Sequence, residues 1–421
     1  MKKRLLTQKI KIKDLGKVIT GTTPPTANKG YFGGQYLFIK PSDISEDQRY
    51  VFKTEMTLSG AGYEYQQLKA LPKNSICIVC IGTIGKKMCL TSQTCFTNQQ
   101  LNSIVVNESK YDPLYIYYLM RMYVPYLKQL NAGSTSGREN VNKSSFQNIE
   151  IQVHELQTQP KIAFILSAYD DLIENNTRRI KILEEMAQTL YHEWFVKFRF
   201  PGYEQVKMVE SGLSLIPERW DGRKVTDAIW VNPKTQVVKE GEKPFVPMGC
   251  LSNDSMLINN IESRSGNSGS KFKNGDTLFA RITPCLENGK TGYVQFLPSH
   301  DAVAFGSTEF IVLRSKTLCP QYVYLMARSD AFRDNAIKSM TGATGRQRVQ
   351  EACFDKFLFA HPDDVTMKKF SELISPFFKE IYVLAQKNNN LRQTRDLLLP
   401  KLISGEIDVE NLDIDNLDIA A

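Results

Sequence analysis

Laid over itself at an offset of 208, the sequence repeats. GRENVNKSSF from Gly137 falls on GRQRVQEACF from Gly345, matching Gly137 with Gly345, Arg138 with Arg346, Val141 with Val349 and Phe146 with Phe354. A slip to 207 lays DPLYIYYLMR over CPQYVYLMAR, so Pro113 meets Pro320, Tyr115 meets Tyr322, Tyr117 meets Tyr324 and Arg121 meets Arg328. Upstream, KIKDLGKVI from Lys11 resembles KVTDAIWV from Lys224, with Asp14 over Asp227. Solenoid repeats have periods of roughly 20–50 residues. This much longer period is one domain written twice, and 421 residues leave room for two domains and their connections.

Each copy closes on a heptad stripe. In the first, Leu166, Tyr169, Ile173, Asn176, Ile180, Leu183, Ala187, Leu190 and Trp194 alternate steps of three and four. In the second, Ile374, Phe377, Ile381, Leu384, Asn388, Leu391, Arg395, Leu398 and Leu402 repeat that spacing at the same offset of 208. Such stripes predict two long helices that bury them in a paired seam. Pro160 suits a first turn, so the first helix is expected to begin near Gln159, while Pro376 could kink the second. Antiparallel pairing with Asn176 facing Asn388 also sets Ile180 against Leu384. The two buried amides then satisfy each other. The same register brings Arg395 to Tyr169, where its guanidinium is expected to stack on the ring and reach solvent.

The texture is different ahead of each stripe. Residues 20–110 and 225–315 carry short β-branched or aromatic runs, such as SICIVCIG and STEFIVL, broken by Gly, Pro and Asn. These read as strands of mixed domains. The expected boundaries are a first mixed domain over 1–155, a helix over 156–198, a turn-rich linker over 199–220, a second mixed domain over 221–362, a helix over 363–404 and an acidic tail over 405–421.

Charge points to a polyanionic partner. The net charge is +8, yet from Glu406 onward there are six acids and no Lys or Arg, so the preceding residues carry +14. No apolar run is long enough for a membrane helix, and the basic start MKKRLLTQKIKIKD has no apolar stretch behind it. Both features predict a cytoplasmic protein without a membrane partner. Eight cysteines are too sparse for a disulfide scaffold.

Candidate chemistry is thin. Cys77-Ile-Val-Cys80 lies in an apolar strand-like run, where residues three apart face opposite ways, so core thiols are expected there and no metal. Gly289-Lys290-Thr291 would complete a phosphate loop only if position 284 were glycine, and it is Pro284. No dinucleotide fingerprint, base-gripping Asn-Pro-Pro-aromatic stretch or nucleophile–base pair is recognisable, which predicts a binder with no cofactor and no catalytic residues. The candidates for binding are polar, Gly-rich segments at matched places. The first copy supplies Lys40, Ser42, Lys86, Lys87, Ser134, Arg138 and Asn140, and the second Arg281, Thr283, Lys290, Thr344, Arg346 and Arg348. Glycine admits close backbone approach to phosphate, and arginine is the commonest side chain on guanine edges.

Several segments carry a family resemblance. LEEMAQTLYHEWFVKF from Leu183, LRQTRDLLLPKLISGEID from Leu391, GTTPP from Gly21, YLFIKPSDI from Tyr36, TIGK from Thr83, NIEI from Asn148 and ELQTQPKIA from Glu155 resemble the specificity subunit of type I restriction-modification systems. The resemblance implies an α+β chain of two tandem mixed α/β target-recognition domains, each followed by a long α-helix, with the helices pairing as an antiparallel coiled coil. It implies a non-catalytic subunit whose partners are double-stranded DNA, two methyltransferase (modification) subunits and ATP-dependent restriction subunits. A pseudo-twofold pairing and a 29-residue seam, about 43 Å long, predict a split, asymmetric target. Three other readings stay open: a specificity protein for a fused nuclease–methyltransferase, a coiled-coil scaffold with no DNA-reading role, and an enzyme whose active site the sequence hides.

Overall fold

The strand Ile76–Val79 shows how the first copy folds. Its residues are all buried, and the alternation sends Ile76 and Ile78 into one apolar cluster and Cys77 and Val79 into another. Burial on both faces is what a continuous β-branched run requires. The computed structural model describes residues 7–45, 48–130, 140–238, 240–343 and 345–412. It divides into two compact units: the first takes the chain to Asn176 and again from Lys387, and the second takes Thr177–Gln386.

In the first unit, Ile76–Val79 lies at the centre of a five-stranded sheet ordered Gly16–Thr20, Leu101–Val106, Ile76–Val79, Met88–Thr91, Tyr50–Val51. Its pairings are antiparallel except the last, Tyr50–Val51 on Met88–Thr91, which is parallel. A three-stranded sheet sets Phe32–Ile39 between Met56–Leu58 and Cys95–Thr97. The helix Pro113–Tyr123 covers one face of the larger sheet with Tyr115 to Met120. Asp112 caps it by accepting from Tyr115 N at 2.7 Å, and Pro113 takes the first helical position, where no N–H is needed.

The second unit repeats this plan. One sheet is ordered Ile229–Val231, Phe310–Ser315, Thr277–Ala280, Thr291–Tyr293, and another Glu262–Ser265, Glu242–Val246, Val303–Gly306, Ser270–Lys273. The parallel contact of Phe32–Ile39 with Cys95–Thr97 has its counterpart in Glu242–Val246 with Val303–Gly306. Leu278 and Phe279 divide between two clusters as Cys77 and Ile78 do. The covering helix is Pro320–Arg328.

Two helices far exceed the rest, Gln159–Tyr191 with 33 residues and Asp364–Ile403 with 40. The first begins at the position expected, with Pro160 in its opening turn, and runs into a π turn over His192–Val196. The second continues through Pro376 as helix. It is capped at its start by Asp363, which accepts from Thr366 N at 2.7 Å, and it stops at Gly405, whose φ of +73° other residues seldom adopt.

Every seam residue read from the sequence is buried or half-buried. In the first unit, Leu166 packs in one cluster with Ile162, Leu399 and Leu402. Asn176 Nδ2 donates to Asn388 Oδ1 at 2.9 Å, and Asn388 Nδ2 donates to Ile173 O at 3.3 Å. Arg395 departs from expectation. It does not reach solvent beside Tyr169 but is 4% exposed, with its guanidinium on Asp170 and Asp396. A carboxylate neutralises a buried charge more completely than a ring face can. In the second unit, Ile180, Ala187, Ile374, Ile381 and Leu384 share a core with Trp194, Phe195, Phe370 and Phe378, and Arg179 bridges Glu380 at 3.0 Å.

Candidate nucleic-acid interface

Loops from matching strand ends converge in each copy, and the same hydrogen bonds build both frames. In the first, Cys80 N donates to Gln100 O at 2.8 Å and Val141 N to Cys80 O at 2.9 Å, with Ile81 bridging Asn140. In the second, Arg281 N donates to Glu309 O at 3.0 Å and Val349 N to Arg281 O at 2.9 Å, with Ile282 bridging Arg348. The candidate segments 80–87 and 140–141 thus belong to one site, and 281–290 and 346–349 to its counterpart.

Two candidate lysines hold these frames. Lys87 Nζ donates to Pro41 O at 2.9 Å, which ties the turn carrying Ser42 to the loop carrying Lys86. Lys290 Nζ donates to Met248 O at 3.3 Å and to Leu251 O at 2.8 Å, tying down the corresponding turn Met248–Cys250. Lys40 lies on Glu55 at 2.5 Å. Ser42, Lys86 and Asn140 are exposed around this cluster. Ser134, Arg138 and Thr344 lie outside the described residues.

In the second copy Arg281 donates to Glu351 Oε1 and to Val349 O, both at 3.2 Å. Thr283 Oγ1 accepts from Gln347 N at 3.0 Å, fastening the two segments. Arg348 grips Glu309 with two donors, Nε to Oε2 at 2.9 Å and Nη2 to Oε1 at 2.6 Å. Hydrogen bonding to that guanidinium holds the Glu309 carboxyl below its usual range. Arg346 is exposed and has no ion pair among the described residues.

The structure adds residues that sequence reasoning missed. Lys234, Thr235, Ser270, Lys271 and Thr308 line a cavity of about 480 Å³ with Arg281. Its first-copy counterpart is the loop after Gly16–Thr20, where Thr23 Oγ1 donates to Gln99 Oε1 at 2.8 Å. A Cβ on Gly21 would come 2.3 Å from Thr97 O, so only glycine fits where that loop begins. The signal was present in part: GTTPP follows the strand Gly16–Thr20 and NPKTQ the matching strand Ile229–Val231.

Each unit also anchors a loop to the first long helix through a carboxylate. Arg49 N donates to Glu174 Oε1 at 3.0 Å, and Met256 N donates to Glu184 Oε1 at 2.7 Å. Arg49 adds its side chain, on Glu174 at 3.0 Å and on Asp171. Burial raises the Glu184 carboxyl, opposed by the bonds from Met256 N and Ser255 Oγ. Cys77, Cys89 and Cys95 are free thiols buried together in the apolar cluster behind the first site, with Cys89 and Cys95 pushed well above the ordinary thiol range. Among the described residues no helix is long and apolar enough to cross a membrane, and no cluster of metal-ligating side chains occurs.

An α+β chain of two compact units, each with a frame of polar loops, and two long helices is the class defined by this architecture. Comparison with known proteins then supplies the family. Residues 6–185 match the type I restriction modification DNA specificity domain. The chain is 27% identical over 416 residues to the type I restriction enzyme MjaIX specificity subunit of Methanocaldococcus jannaschii, covering 96% of this chain and 94% of that one. It is 39% identical over 141 residues to the HindI specificity subunit of Haemophilus influenzae, covering 33% of this chain and 30% of that one. The crystal structure of the type I restriction-modification S subunit from M. genitalium shares the fold, with a TM-score of 0.57 at 14% identity over 96% of this chain and 97% of that one. The chain therefore carries the specificity domain of type I restriction-modification systems, and the resemblance seen in its motifs is that of a type I specificity subunit.

Proposed function

We propose that the chain reads double-stranded DNA at two half-sites and brings two methyltransferase subunits and ATP-dependent restriction subunits to that split target, without catalysis of its own. One observation carries this reading: the same loop frame occurs in both copies but presents different side chains. Lys87 on Pro41 O and Lys290 on Met248 O hold equivalent turns, while Asn140 in one frame stands where Arg348 stands in the other. Invariant support with exchanged side chains suits two readers of different sequence, and hence an asymmetric target.

On this reading residues 1–155 and 221–362 are the target-recognition domains, 156–198 and 363–404 the spacer helices, 199–220 the linker and 405–421 the tail. The spacer helices pair as an antiparallel coiled coil, for which the Asn176–Asn388 bond gives support in the first unit. The DNA-facing set comprises Lys40, Ser42, Lys86, Lys87, Ser134, Arg138 and Asn140, with Arg281, Thr283, Lys290, Thr344, Arg346 and Arg348. Lys87 and Lys290 add positive potential while bracing the loops. The test is methylome sequencing of cells carrying this chain with its modification partner. A split, asymmetric methylated motif is expected, and a single contiguous motif overturns the proposal. The purified chain alone is expected neither to methylate nor to cut DNA.

A further inference from the structure

We infer that the two equivalent sites read different base pairs: Arg348 with Glu309 reads a G·C pair in one half-site, and Gln100 with Asn140 reads an A·T pair in the other. The inference rests on the DNA-reading function proposed above. Gln100 and Glu309 occupy the same place, since the carbonyl of each accepts the main-chain N–H that opens the neighbouring loop, from Cys80 and Arg281 respectively. Asn140 and Arg348 likewise occupy one place, each bridged to an isoleucine of that loop, Ile81 and Ile282. Each site therefore offers two polar side chains from the same two backbone positions, and only their chemistry differs.

That chemistry matches base edges. Arginine bonds two acceptors of guanine, glutamate accepts from the cytosine amino group, and Asn or Gln bonds the adenine edge as donor and acceptor together. The Arg348 and Glu309 side chains are 48% and 23% exposed, so the pair faces outward. The Glu309 carboxylate engages Nε and Nη2, which leaves Nη1 and the second hydrogen of Nη2 as donors for guanine while the pair stays intact. Meanwhile the bidentate grip fixes the Arg348 fork in advance, which limits the ordering needed on binding. Asn140 is exposed and Gln100 half-buried, its Oε1 accepting from Asn98 Nδ2 at 2.8 Å.

The experiment uses the full chain in complex with its methyltransferase. Duplexes carrying the methylated motif, with each base pair replaced in turn, are titrated against wild type, Arg348→Ala, Glu309→Gln and Gln100→Ala. Arg348→Ala is expected to lose about 5- to 150-fold of discrimination at one G·C position and to keep full discrimination in the other half-site, which also shows that the chain is folded. Glu309→Gln should act at the same pair, and Gln100→Ala at an A·T pair of the opposite half-site. Uniform weakening on every duplex by Arg348→Ala, unchanged discrimination, or flattening at an A·T position would overturn the inference while leaving the proposed function standing. Wild-type complex that binds all duplexes alike would overturn both.

Discussion

At one repeat position the two units solve the same packing problem with opposite chemistry. Asp170 and Arg395 of the first unit fall, at the offset of 208, on Phe378 and Ala187 of the second. All four are buried, at 3%, 4%, 2% and 1% exposure. In the first unit a carboxylate accepts from Arg395 and from Tyr118 Oη at 2.7 Å. In the second a phenyl ring lies among aromatics, 4.9 Å from Tyr293 and 5.7 Å from Tyr324 between centroids. Equivalent helical positions thus accept either an ion pair or a large-and-small apolar pair. The ion pair demands one specific partner, whereas the apolar pair demands only volume.

The strongest effect is expected where the ion pair loses one side. Asp170→Ala leaves Arg395 buried with only the half-exposed Asp396 beside it, and should cost about 3–5 kcal/mol in the unfolding of the first unit, measured by urea denaturation. Copying the other unit tests the equivalence directly. The triple change Asp170→Phe with Arg395→Ala and Tyr118→Phe, which also removes the hydroxyl that donates to Asp170, is expected to be neutral or to stabilise by about 1–4 kcal/mol relative to wild type. A triple variant as unstable as Asp170→Ala would show that the two positions are not interchangeable.

The next effect concerns the asparagine layer. At the offset of 208, Asn176 falls on Leu384 and Asn388 on Ile180, so the second unit fills the matching layer with hydrocarbon. Asn388→Leu removes the acceptor of Asn176 Nδ2 and should cost about 1–3 kcal/mol, whereas Asn176→Leu with Asn388→Leu together should restore most of it. Equal stability of single and double variants would mean that the bond does not matter.

A smaller effect lies on the proposed DNA face. Arg346→Ala, at an exposed side chain, should weaken binding to all duplexes alike and flatten the salt dependence by about one unit if Arg346 touches phosphate. An unchanged salt slope would remove it from the interface.

The smallest is a shared acid sensitivity. His154 and His361 end equivalent strands and are both buried, with Nε2 at 2.9 Å from Ile403 O and at 2.8 Å from Thr317 Oγ1. Burial favours the neutral ring and depresses both from the ordinary 6.5, aided at His361 by Arg223. The unfolded chain therefore takes up the protons first as pH falls. Stability is expected to be full above pH 6.5 and to decline below it, and thermal unfolding of His154→Phe should lose the first unit's share of that decline.

The duplication, the two helical stripes, the meeting of Asn176 with Asn388 and the opposite facing of Cys77 and Cys80 were all legible in the order of the amino acids. They rest on periods of two, three and a half and 208 residues, which any chain displays before it folds. The candidate loops were legible as segments, because Gly, Pro and polar residues mark turns locally. Their internal wiring arose only on packing. Lys87 finds Pro41 O across 46 residues, Arg348 finds Glu309 across 39, and Arg395 finds Asp170 across 225. Asp170 lies one residue off the heptad stripe, so the seam pattern pointed to Tyr169, yet the buried guanidinium takes the neighbouring carboxylate because unpaired charge is costly away from water. Which charges meet is a property of the packed sheets and helices, and no local period encodes it.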